Sequence, residues 1–114
     1  MATKLNKKAF EYAKRLISDG SFEHDERDDW SEHAATADEE NHFIETNGYQ
    51  EYEKWHLGID EDASEEIKGR YSFPFGDFEK VHRCGVISIE SRASQNDYGD
   101  IRKAAGELME LMEK

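Results

Sequence analysis

Residues 68–85 read KGRYSFPFGDFEKVHRCG and hold the chain's one proline with four aromatics, Tyr71, Phe73, Phe75 and Phe78. Tyr71, Phe73 and Phe75 alternate with Ser72 and Pro74, which is the period of a strand. Three aromatics on one face predict that this face meets the core. Pro74 cannot donate to a ladder, so the strand is expected at a sheet edge. Gly76 and Asp77 then turn the chain, and Asp77 is placed to cap the next element. Beyond it the pattern is divided. Val86, Ile87 and Ile89 have strand propensity, whereas Phe78, Val81 and Cys84 fall nearer a helical spacing. We read residues 79–93 as helix.

Two amphipathic helices lie at the ends of the chain. In the first, Ala9, Tyr12, Ala13, Leu16 and Ile17 recur three and four apart, with Leu5 at its start and Gly20 as its stop. In the last, Ile101, Ala104, Ala105, Leu108, Leu111 and Met112 form the stripe, with Asp97 or Asp100 as cap. Between them, Thr36 and Glu39 make a capping box. Asn47 and Gly48 close that helix, whose apolar edge is only Phe43 and Ile44. Residues 49–52 suit a helical turn, and Trp55, Leu57 and Ile59 suit a short strand. The expectation is a single α+β domain over residues 1–114. It has about four helices packed with a two-stranded β element near 55–59 and 71–75. Acidic loops are expected near 21–35 and 60–67, with Trp30 anchoring the first.

Hydrophobic residues are 36% and charged residues 37% of the chain, which implies a thin core under a heavily solvated surface. The net charge of −12 is uneven. Residues 18–66 hold eighteen acids and two bases, while residues 67–92 hold five bases and three acids. Such a field repels nucleic acid and anionic membrane at long range and favours a basic partner. No apolar run comes after Lys4, Lys7 and Lys8, so no secretory leader is expected, and no stretch is long and apolar enough for a membrane helix. The single cysteine, Cys84, has no partner for an intramolecular disulfide, which suits a reducing cytoplasm.

Candidate chemistry is sparse. His24 and His33 with Asp29 are weak candidates for a divalent metal site, because imidazole and carboxylate together suit such ions. The paired cysteines or HExxH of an advertised zinc site are missing. Residues 60–71 begin like a calcium loop through Asp60, Asp62 and Ser64. They fail where a glycine and a final glutamate are needed, at Glu65 and Tyr71. His82 beside Cys84 could make a nucleophile and base pair only if both faced one side. The reading leans away from an enzyme and names no cofactor. Arg70, Lys80, His82 and Arg83 form the candidate interaction patch, since arginine beside aromatics suits an interface. The expected partner is a protein of unknown identity. The competing reading is nucleic-acid binding through the basic and aromatic residues of 68–92. The chain is expected to be a monomer or weak dimer.

Tyr71, Phe73, Pro74, Gly76, Asp77, Val81, His82, Arg83, Arg92 and Ala93, with RDDWSEH and KWHLGID upstream, also carry a resemblance. The sequence resembles a group of small uncharacterised bacterial and phage-associated proteins that share a Phe-Pro turn, a Val-His-Arg helix and a final amphipathic helix. The resemblance implies helix over 79–93 and brings no activity with it.

Overall fold

The aromatic alternation is realised in β4 (Tyr71–Pro74): Tyr71, Phe73 and the adjoining Phe75 are buried, while Ser72 and Pro74 are half-exposed. The computed structural model describes residues 3–23, 36–64 and 68–113. Among these, β1 (Thr3–Leu5), β3 (His56–Asp60) and β4 form an antiparallel sheet in the order β1-β3-β4, so Pro74 does sit on an edge strand. The sheet is therefore larger than the expected pair of strands. Thr3–Leu5, with one apolar residue, carries no strand signal of its own. It pairs because β3 offers an open edge fifty residues later, in the register Lys4 opposite Ile59.

A second sheet is parallel and joins β2 (Phe22–Glu23) to β5 (Val81–His82). Here the expected helix over 79–93 is corrected. Phe78 lies at φ 69°, outside the helical region. The Asp77 carboxylate accepts the N–H groups of Glu79 and Lys80 at 3.0 and 2.9 Å, so it caps a tight turn instead of a helix. The turn returns Val81 to bridge Gly76 and pair with Phe22. Only then does the helix begin.

Five α-helices surround the sheets among the described residues: α1 (Lys7–Ser18), α2 (Ala37–Asn47), α3 (Tyr49–Glu53), α4 (Arg83–Gln95) and α5 (Gly99–Met112). Neither Asp97 nor Asp100 is the N-cap of α5; Tyr98 holds that position. Asp100 instead accepts the N–H of Leu5 at 2.8 Å, tying the last helix to the first strand. The terminal helices pack together as their stripes require. Ala9, Ala13 and Ile17 of α1 and Ile101, Ala105 and Leu108 of α5 share one core with Trp55, Leu57, Phe73 and Phe75. The radius of gyration is 13.0 Å, close to the ~13 Å of a packed single domain of this length. No helix among the described residues is long and apolar enough to cross a membrane.

Gly76 is fixed by space. A Cβ there would strike the Lys80 carbonyl oxygen and come within 2.6 Å of the Trp55 ring. One obstacle is backbone and the other a buried indole, so neither yields cheaply. Gly76→Ala is expected to cost about 2–3 kcal/mol by overpacking. Gly99→Ala is the control, since a Cβ there meets nothing within 4 Å; alanine at this helical position should be neutral or stabilise by about 0.5 kcal/mol. Urea midpoints of the two variants check both outcomes.

Candidate functional site

An apolar opening with charged walls lies between α2 and the turn at residues 77–79. It begins with the capping box at Thr36, whose hydroxyl accepts the Glu39 N–H at 3.2 Å while the Glu39 carboxylate accepts the Thr36 N–H at 3.0 Å. Asp38, Glu39 and Glu40 fill the first turn, where the positive end of the helix dipole favours acids. The 3.6-residue period then aligns Asp38, Glu39, His42, Phe43, Thr46 and Asn47 along one wall. The opposite wall is Asp77, Phe78 and Glu79. Together they bound a cleft of about 550 Å³.

Its floor is a stacked pair. The Phe43 and Phe78 rings lie 4.3 Å apart with an interplanar angle of 11°. The positive φ of Phe78 brings its ring out of the turn and under α2. Behind the pair sits a second buried cluster of Tyr52, Ile59 and Tyr71, packed by Phe43, Ile44, Tyr49 and Phe78. The Tyr52 hydroxyl is pushed up by burial and by the neighbouring Glu40 carboxylate, which also hydrogen-bonds it.

Asp77 is the organising residue of the turn wall. Burial pushes its carboxyl up, but the hydrogen bond from His82 and those from the Lys80 and Glu79 N–H groups outweigh burial and hold it below the usual carboxylate range. His82 Nε2 lies 2.8 Å from Asp77 Oδ2, and its side chain is 3% exposed. Asp38 and Glu79 show no ion pair or side-chain hydrogen bond among the described residues; Glu79 adds to the field that raises the Lys80 pKa, and both carboxylates line the cleft.

The sequence-derived patch is placed differently from this cleft. Arg70 turns inward and Nη1 donates to the carbonyls of Glu61 and Ala63 at 3.2 and 2.6 Å. Lys80 pairs with Glu23 across the parallel strands, and that carboxylate raises its pKa. Arg83 reaches Glu113 at 3.2 Å. His82 is buried. Lys80, His82 and Arg83 are neighbours in the chain, whereas Arg70 lines another opening with Lys4, Lys7 and Lys8. Each base of the patch is engaged by an acid or a carbonyl of the same chain. Cys84 is fully buried at the start of α4. His24, Asp29 and His33, like Trp30, lie outside the described residues. No group of three or more histidine, cysteine or acidic side chains able to hold a metal occurs among the described residues.

Sequence reading passed over Phe43, Phe78, Asp38 and Glu79 as a site. The available signal was the narrow apolar edge of α2. A helix whose large apolar residues are only Phe43 and Ile44 has little to bury, and Phe43 lines the cleft as well as packing on the cluster behind it. No family model matches the chain, and no curated protein or solved structure matches it either.

Proposed function

We propose that the protein is a non-enzymatic interaction module whose docking site is the cleft between α2 and residues 77–79. The occupant is a basic segment of a partner protein. An apolar side chain of that segment rests on Phe43 and Phe78, and an adjacent lysine or arginine faces Asp38, Glu39 and Glu79. One observation carries this reading: an aromatic floor is walled by four carboxylates, and His42 is the only basic side chain among its lining residues. The cleft volume falls within the ~300–1,000 Å³ of binding sites. A net charge of −12 adds steering of a cationic partner toward the surface. The intramolecular pairing of Lys80 and Arg83 argues against their serving phosphates.

The test is a titration of ¹⁵N-labelled protein with a short peptide that alternates arginine and leucine. A single-stranded DNA oligonucleotide at the same low salt is the second arm. Amide shifts are expected at residues 38–47 and 77–79 with the peptide and not with the DNA. The double variant Asp38→Asn, Glu79→Gln should weaken peptide binding by about tenfold, because two rim charges are lost while the floor remains. Peptide affinity unchanged in the double variant would overturn the reading, as would DNA shifting the same amides.

A further inference from the structure

We propose that α2 is a hinged cover that swings on Gly48 and closes over the buried cluster of Tyr52, Ile59 and Tyr71. This proposal does not depend on which ligand the cleft takes.

The helix is formed locally but held lightly. Its capping box and its acidic first turn stabilise it from within. Yet none of its eleven residues is buried. Its apolar contribution to the cluster is Phe43 and Ile44, both half-exposed. Amphipathic α1, by contrast, buries Ala9, Ala13 and Ile17. A segment with intact internal hydrogen bonds and little buried area is the kind that opens before the rest of a domain.

The hinge is a single residue. Gly48 is at once the C-cap of α2 and the N-cap of α3, at φ 85° and ψ 167°. This φ is one that glycine adopts freely, and a Cβ there would meet nothing within 4 Å. Rotation about this one residue therefore moves α2 as a body while Tyr52 keeps its place in α3. Hinges of this kind are a few terminal residues that absorb the backbone change.

The latch is polar. Lys68 Nζ reaches Glu40 at 3.1 Å and the Asn41 side-chain oxygen at 3.2 Å. Glu40 also takes the hydrogen bond of the Tyr52 hydroxyl. Thus α2 is held at its first turns by Lys68 and Tyr52 and at its middle by the Phe43–Phe78 stack. Release of both would expose Tyr52 and Tyr71, now 2% and 7% accessible. The closed cover also supplies one whole wall of the cleft, so only the closed state has a docking site.

Native-state hydrogen exchange of the full chain tests the cover. Once swung off the cluster, α2 keeps only its own hydrogen bonds and frays, because an isolated helix of eleven residues is marginal in water; the amides of Phe43 and Ile44 should therefore exchange through an opening much easier than that of Val86 and Leu108, which lie in the fully buried core. Lys68→Met should speed exchange of the α2 amides by about threefold to fivefold, the worth of one partly exposed ion pair, and leave Val86 and Leu108 unchanged. Glu40→Gln should act in the same direction through the same latch. The proposal is overturned if α2 and core amides exchange at one common rate-determining opening. It is equally overturned if the latch variants accelerate all protected amides alike.

Discussion

Phe75→Ala is expected to remove about 3–5 kcal/mol of stability, the range for deleting a fully buried aromatic. Phe75 is 0% exposed and, among the described residues, is the largest side chain buried to that degree. Its ring packs 5.7 Å from that of Trp55. Its backbone joins two parts of the fold, since its N–H donates to the Trp55 carbonyl and its carbonyl accepts the His82 N–H. The cavity left by alanine would lie between the antiparallel sheet and β5, where neither side can collapse without breaking those bonds. Domains of this kind hold ~5–15 kcal/mol in total, so the variant should keep only a fraction of its margin. The urea midpoint should fall by about 2 M for a slope of roughly 1.5–2 kcal/mol/M. Phe75→Leu, which refills most of the volume, should recover more than half. A loss below about 1.5 kcal/mol for alanine would show that the surrounding core relaxes into the gap.

Acid should weaken the fold well before its carboxylates titrate, because of His56. The ring is 2% exposed and lies in β3 against the Tyr52 ring, 4.3 Å between centroids. Burial holds it neutral, pulling its pKa from 6.5 down to about 4; the bond of Nδ1 to the Tyr52 carbonyl opposes this without reversing it. The state that takes the proton sets the sign. Above pH 6.5 the ring is neutral in both states and stability is complete. Below it the unfolded chain binds a proton that the folded chain refuses, so stability falls as pH drops. The loss is about 2 kcal/mol at pH 5 and about 3 kcal/mol at pH 4. His56→Phe should flatten this slope between pH 7 and 5, and its Tyr52 carbonyl keeps the Trp55 N–H as a donor. Equal slopes in the two proteins, from urea midpoints at pH 7, 6 and 5, would exclude His56 as the cause.

What could be read from the chain was what neighbours in sequence decide. Thr36 and Glu39 meet across one helical turn, so their capping box was legible and is present. The alternation at 71–75 was legible because a strand's two faces are set residue by residue. Gly48 ends α2 as its neighbours imply, and the strand after Trp55 begins at His56. The failures share a different cause. Thr3–Leu5 and Phe22–Glu23 become strands only because partners at 58–60 and 81–82 lie beside them. Val81 has helical spacing to Cys84, yet the turn at 77–80 hands it and His82 to β2 first. The cleft was illegible for the same reason. Phe43 and Phe78 are thirty-five positions apart, and their stack depends on the unusual backbone of Phe78. The setting of the basic patch was equally hidden, because the sequence displays Lys80 and Arg83 but not the acids, Glu23 and Glu113, that meet them.

The tie between Leu5 and Asp100 has a consequence for synthesis on the ribosome. The first strand needs residues 58–60 as its neighbour, and the first helix needs the last one to cover its stripe. Neither early segment has a finished environment until about residue 112 has emerged. The α1 stripe therefore waits, uncovered on its α5 side, while residues 19–98 are made, the interval in which chaperones act on slow, non-local topologies. The eighteen acids of residues 18–66 come directly behind that face. Their mutual repulsion keeps neighbouring nascent chains apart while the circuit waits to close.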